Sequence, residues 1–207
     1  MTRRLRLPAL VTSLACLAVL AVGPAVAASM SKTYSYFSVN GTTLDQLEME
    51  LTTRGPHVST TGRRHAGATQ MEFNTKLGYT EKGGYCRVAE AHVSVKAKVI
   101  LPQWRQRSKA SQEVRTVWDT LSSDIKRHEE GHLVIARNYA RELEQALLRL
   151  DRQRSCEKVA QKAQAMASKI LDEHDKAQLN FDRIEGINFE DRMTRLLRYR
   201  MERAEGR

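Results

Sequence analysis

Cysteine is scarce in this chain: three in 207 residues, with no C-x-x-C pair and no Cys/His cluster. That excludes a cysteine-ligated metal site of the zinc-finger kind. No internal repeat or low-complexity tract is present, which excludes a solenoid. Lys and Arg outnumber Asp and Glu by 34 to 24, yet the basic residues are scattered among acids and no aromatic-basic module accompanies them. Nucleic acid is therefore not the expected partner. Residues 111–184 lack proline altogether and contain one glycine, Gly131. A stretch with so few breakers predicts long helices.

What the chain does have begins with one long apolar run. Leu7 to Val22 follows the basic Thr2-Arg3-Arg4-Leu5-Arg6 and leads to Ala25-Val26-Ala27, a small-x-small cleavage signal. This reads as a secretory signal peptide, residues 1–27, cut after Ala27. The run is at the short end for spanning a bilayer, so no stable membrane span is expected after cleavage. Ser13 and Leu14 do not fit the residues that precede a lipidated cysteine, which argues against a lipoprotein signal at Cys16. The leader carries three arginines and no acid, so its removal takes the formal charge from +10 to +7. For a secreted or periplasmic protein, that balance favours anionic envelope surfaces or acidic substrates. Cleavage leaves Cys86 and Cys156, which predicts one disulfide in an oxidising compartment. It would tie the β-rich half to the start of the last long helix.

The mature chain reads as a single domain over 28–186, followed by a charged tail over 187–207 with only a weak apolar stripe. Residues 28–110 are β-rich. Tyr34–Val39 alternates, Asn40-Gly41 marks a turn, and Thr43–Leu51 is a short amphipathic helix capped by Thr43 or Thr42 and ended by Gly55-Pro56. Residues 57–66 read as a polar loop, 68–77 as a strand and 78–84 as a hairpin connection. Tyr85–Leu101 is the longest strand-like run, ended by Pro102. Residues 111–184 form a helical hairpin. Its first stripe runs Val114, Val117, Leu121, Ile125, His128, His132, Ile135, Tyr139, Leu143, Ala146, Leu150. Its second runs Val159, Ala163, Met166, Ile170, His174, Ala177, Phe181, with the polar break 151–155 between them. Trp104 and Trp118 are expected in the core, and His57, His65 and Asp124 on the surface.

The chemistry lies in His128-Glu129-Glu130-Gly131-His132. This is H-E-x-x-H, in which histidines at i and i+4 share a helix face and both reach one ion. Glu129, one residue off the stripe, is placed as the general base. Zinc bound by three protein ligands and a water lowers the pKa of that water to about 7. Glu129 would take the water proton and pass it to a leaving amine, the route of a metallopeptidase acting on a peptide or protein substrate. Gly131 removes bulk between the ligands and would let a substrate or a neighbouring strand approach. A symmetric hairpin turning near Gln153 places His174 almost level with the motif, so His174 is the first choice for third ligand and Asp182 the alternative. Glu185 falls where the helix is expected to have ended. His92 and Tyr139 are candidate oxyanion stabilisers, and a nearby strand edge could bind peptide by backbone pairing.

A longer linked pattern runs through most of the mature chain. It comprises Tyr34–Val39 followed by Gly41 and Leu44-x-x-Leu47, Gly55-Pro56, Cys86 before a long β-run, and Leu101-Pro102-x-Trp104. It continues with Trp118, His128–His132, Cys156 and Phe181-Asp182. In this order the chain resembles the bacterial DUF922 family, described as predicted secreted zinc-dependent proteases. The resemblance implies export, zinc at His128 and His132, and Glu129 as catalytic base. Two positions depart from it. Glu130 is charged where zincin motifs are usually uncharged. Family members often carry Thr-x-His-Gly after the aromatic-Asp pair, whereas here Asp182 is followed by Arg183-Ile184-Glu185-Gly186. That leaves His174 or Asp182 as third ligand. The expected fold is α+β: a small antiparallel sheet with a short helix, packed on a long antiparallel helical hairpin that carries the motif. The alternative to the peptidase is a non-catalytic envelope protein with a structural metal, or a basic interaction module.

Overall fold

The computed structural model describes residues 28–59 and 61–206, so the leader and its cleavage signal lie outside the described residues. The fold is α+β, with a small mixed sheet and four helices. In chain order these are β1 (Ser29–Val39), α1 (Leu44–Arg54), β2 (His57–Val58), β3 (Arg63–Arg64), β4 (Ala68–Lys82), β5 (Tyr85–Trp104), α2 (Gln112–Leu148), α3 (Cys156–Ile187) and α4 (Phe189–Glu205).

The main sheet has the order β1-β5-β4. β4 and β5 pair antiparallel, as a hairpin must, but β1 pairs parallel to β5 from Ser29↔Ser94 to Val39↔Trp104. The all-antiparallel expectation is therefore corrected to a mixed sheet. The β-rich span holds α1 between β1 and the strands that follow, and that excursion returns β5 alongside β1 in the same direction. β4 runs on through Gly78 to Lys82 and turns at Gly83-Gly84, both at positive φ. The register shifts between Gly78 and Tyr79, where Glu90 and Val88 are their partners, so Ala89 is the extra residue. This bulge moves the inward positions of β5 from Val88 to Ala91, Val93, Val95, Ala97, Val99 and Leu101, all buried. His92 consequently faces solvent.

Pro102 does not end β5, because the strand continues to Trp104. Pairing with β4 stops at Ala68↔Ile100, so at Pro102 only β1 lies alongside and the missing N–H disrupts no second ladder.

Helix ends follow local chemistry. Thr43 caps α1 by accepting from the Gln46 N–H, Ser111 caps α2 from Val114, and Ser155 caps α3 from Lys158. α2 lies on the sheet along Trp118, Ile125, Glu129, Leu133, Ala136, Ala140, Leu143 and Leu147, all buried. This face is rotated about one residue from the expected stripe, because α2 has two neighbours. The sheet takes the buried face, and α3 takes the flank bearing His128 and His132. The principal core joins Val93 and Val95 of β5, Leu143 and Leu147 of α2, and Val159 and Ile170 of α3. A second cluster under α1 includes Leu47, Leu51, Trp104 and Trp118.

Cys86 and Cys156 form a disulfide with Cα atoms 5.1 Å apart. Beside it, Cys86 and Gln153 exchange two backbone hydrogen bonds of 2.8 and 2.9 Å. The α2–α3 connection is thus pinned to the start of β5. The charged tail, for which the sequence left a frayed helix or disorder open, carries helix α4, held by buried Met193 and by Arg192. Among the described residues no helix is long and apolar enough to cross a membrane.

Candidate metal centre

Helix periodicity brings His128 and His132 together on α2, and α3 supplies the third group. Nε2 of His128 and Nε2 of His132 lie 3.2 Å apart. The Asp182 Oδ1 atom is 3.2 Å from the first and 3.0 Å from the second. The three donors lie within 4.8 Å of one another and form a group of a type that could hold a metal ion. A tetrahedral ion with bonds of about 2.0–2.1 Å separates its ligand atoms by roughly 3.3 Å, so two imidazoles and a carboxylate at these distances could hold a small divalent metal ion.

His174, the first choice from sequence, is not in this group. His128 meets Asp182 and His132 meets Gln178, one turn beyond the level of His174. The helices are therefore not level about Gln153, and the facing level lies one turn further along α3. His174 is buried, its ring edge-on to Phe73 and Tyr139. Its Nδ1 donates to Asp175 Oδ1 over 2.9 Å. A second group, Glu81 with Cys86 and Cys156, has both sulfurs committed to the disulfide.

Gln178 bridges the two histidines. Its Oε1 lies 2.6 Å from His132 Nδ1, and its Nε2 lies 2.8 Å from His174 Nε2 and 3.2 Å from the His132 carbonyl oxygen. A carbonyl only accepts, so the amide nitrogen must be at that end. Oε1 therefore accepts from His132 Nδ1–H, and the proton-free Nε2 of His132 is the nitrogen turned to Asp182.

Phe181 seats the two histidines. Its ring stacks on His128 at 5.0 Å between centroids and meets His132 edge-on at 5.1 Å. A Cβ on Gly131 would sit 2.4 Å from Phe181 Cζ. The glycine thus admits a phenylalanine of α3, rather than a substrate or a strand.

Glu129 is buried on the sheet-facing side of α2 and accepts from Thr69 Oγ1 over 2.8 Å. It presses on Gly67, where an added Cβ would come within 2.8 Å of Glu129 Oε1. Burial pushes the Glu129 carboxyl above its ordinary value, against the Thr69 hydrogen bond and the neighbouring histidines. Burial alone would lower His132, but in the charged ring Nε2–H donates to Asp182 and Nδ1–H to Gln178, and these bonds outweigh burial and raise it. Asp182 moves the opposite way: burial opposes ionisation, and its hydrogen bonds with both histidines carry it far below the usual carboxylate range.

Two clefts open on the group, of about 280 and 260 Å³, and His65, Gly67, His128, Glu129 and Asp182 line both. His65, expected only in a polar loop, is brought here by the β2–β3 ladder, with its N–H donated to the Pro56 carbonyl. His92 and Tyr139 do not line either cleft. Asp124, expected at the surface, is buried under two arginines: Arg192 donates as a fork to both its oxygens at 2.9 and 3.1 Å, and Arg127 donates once, to Oδ1 at 2.9 Å. The same two arginines pair with Glu185, whose Oε2 is 3.8 Å from His128 Nδ1. Glu185 therefore stands beside the ligand group, in the continuing helix α3. Glu130 takes its charge outward to Tyr34, Lys126 and Lys32. Its presence inside the motif leaves the ligand geometry alone.

Fold and site together define an α+β protein in which two helices assemble a His/His/Asp group beside a buried glutamate. The chain belongs to the DUF922 family, described as bacterial protein of unknown function, which matches residues 34–190. No curated protein and no solved structure matches it.

Proposed function

We propose that the protein is an exported zinc-dependent peptidase with His128, His132 and Asp182 as ligands and Glu129 as base. The observation that carries the reading is the coincidence, in one pair of clefts, of a three-donor group and a buried carboxylate that is not itself in that group. Openness favours catalysis over a structural metal. The group offers three donors, whereas structural zinc sites are closed by four protein ligands. Export rests on the leader pattern and is consistent with the Cys86–Cys156 disulfide.

A bound zinc ion supplies Lewis-acid activation of a water and of the substrate carbonyl. The chain's own residues account for the rest. Thr69 holds Oε2 of Glu129, leaving Oε1 to accept the water proton. Burial makes that carboxylate a stronger base than an ordinary glutamate and a better acid afterwards, when it returns the proton to the leaving amine. His65, on the wall of both clefts, is the side chain placed to donate to the developing oxyanion, the role expected from His92 or Tyr139. β4 is an edge strand that starts at the site with Ala68 and Thr69. A trough of about 610 Å³ continues along it past Met71 and Phe73, between His57 and Leu171. An extended peptide would pair with that edge and lie in the trough.

The test is zinc content and hydrolysis of casein or peptidoglycan peptides by the mature protein and by Glu129→Gln. The expected result is zinc in both and hydrolysis in the wild type alone. Zinc with equal hydrolysis in both would remove Glu129 from the role. Zinc without hydrolysis of any peptide would leave a structural metal.

A further inference from the structure

The α2–α3 contact contains a continuous polar chain that the hydrolytic steps do not use: Asp175, His174, Gln178, His132. Its hydrogen-bond directions are fixed from the middle outward. The Gln178 amide nitrogen carries two hydrogens, one for the His132 carbonyl and one for His174 Nε2, at 3.2 and 2.8 Å. His174 Nε2 must then be the accepting nitrogen, so the proton is on Nδ1, where Asp175 Oδ1 takes it at 2.9 Å. At the other end, the amide oxygen accepts from His132 Nδ1–H at 2.6 Å. Reversing the Gln178 amide would set its oxygen against a carbonyl oxygen and against a nitrogen whose partner on the far side is a carboxylate. His174 and the His132 backbone therefore both hold the amide in one orientation. Burial of His174 keeps water from replacing either contact.

We infer that Gln178 is a positioning residue that locks His132 in the Nδ1–H tautomer and so presents Nε2 to the metal, with His174 as the anchor that keeps the Gln178 amide from reversing. Free imidazole favours the opposite tautomer, which would place a proton on the nitrogen that must bind. Partners in this position orient a ligating histidine, and their loss typically weakens metal binding 10–100-fold. The inference rests on His132 being a ligand, and it assigns the buried His174 a role outside the ligand set.

The experiment uses the mature chain labelled with 15N-histidine. Imidazole tautomers are read by long-range 1H–15N correlation in the metal-free protein, at a pH where the rings are neutral. Zinc affinity is read separately by competition with a chromophoric chelator. The wild type should show His132 as Nδ1–H. Gln178→Leu should lose that tautomer and bind zinc 10–100-fold more weakly. Gln178→Glu retains the acceptor for His132 Nδ1–H and should keep the tautomer, although its second oxygen, set against the His132 carbonyl and His174 Nε2, should lower the melting temperature. Should Gln178→Leu misfold, Gln178→Met keeps the length without the amide and carries the same expectation. A leucine or methionine variant that keeps the Nδ1–H tautomer overturns the inference, whatever its affinity, because Gln178 would then act only through packing. A wild type that binds no zinc but loses the tautomer in the variant would remove the metal reading and leave the Gln178 lock standing.

Discussion

The two halves of α2 are buried by different means. Toward its end, Leu143 and Leu147 meet Val93, Val95 and Val159 in an apolar core. In its middle, Asp124 and Glu129 are just as inaccessible, but an arginine fork and a threonine hydroxyl enclose them. Apolar burial needs only matching area and tolerates volume-conserving change. Buried charge needs a partner for each atom, so removing one partner is disruptive, while replacing the whole pair by apolar groups need not be. One helix thus carries a mainly apolar half, in which Glu144 is the buried exception accepting the Val93 N–H over 2.9 Å, and a half of buried charge. The border falls near Leu133, the residue after the last motif histidine.

The sharpest way to break that contrast is Glu129→Gln. Activity should fall by about 10²–10⁴-fold, the usual range for general acid–base catalysis. Melting temperature should hold or rise in the metal-free protein, since the buried carboxylate is disfavoured as an anion. Calorimetry alongside a peptidase assay checks both.

Next is Arg192→Met, which strands the buried Asp124 carboxylate. Loss of one partner of a buried pair costs about 3–5 kcal/mol, with Arg127 holding it toward the lower end. The pH dependence has a definite sign. Burial raises the Asp124 carboxyl, but hydrogen bonds from Arg192 and Arg127 more than reverse this, so it ionises below its ordinary value. Its stabilisation is therefore present above the unfolded pKa of about 3.9 and is lost as pH falls through the lower folded value. Urea denaturation between pH 6 and 3 should show a steeper acid loss in wild type than in the variant.

Leu147→Ala, in the other half, should cost about 2–5 kcal/mol in the same denaturation experiment. Zinc affinity and activity per folded molecule should stay unchanged. The smallest effect expected is from Gly131→Ala, about 1–3 kcal/mol from the collision with Phe181. Adding Phe181→Leu should recover part of it. No recovery would show that the glycine serves something other than that ring.

Much of this was legible in the sequence wherever apolar spacing or a local signal decides the outcome. Thr43 as cap, the break before Ser155, the long β-run from Tyr85 and the Cys86–Cys156 bond all follow from neighbouring residues. The motif histidines and their shared face were equally plain. What was hidden depends on contacts set by polar side chains or by clearance. The buried face of α2 is rotated toward Glu129 and Leu133 because sheet and α3 divide the helix between them. Asp182 rather than His174 stands with the motif histidines because the facing level along α3 lies one turn beyond that of a hairpin symmetric about Gln153. A signal for this did exist: His174, Gln178 and Asp182 follow each other at i+4, a polar line beside the apolar one. His65 had no such signal, since only the β2–β3 ladder brings it to the cleft. The helix after Gly186 was obscured by its weak stripe, and Arg192 anchors it through charge rather than apolar area.

The most direct measurement is zinc stoichiometry by elemental analysis of the mature wild type, Asp182→Ala and His174→Ala, purified in parallel. One zinc per chain is expected in the wild type, little or none in Asp182→Ala, and near-full occupancy in His174→Ala at micromolar zinc. Occupancy kept by Asp182→Ala and lost by His174→Ala would contradict Asp182 as the third ligand.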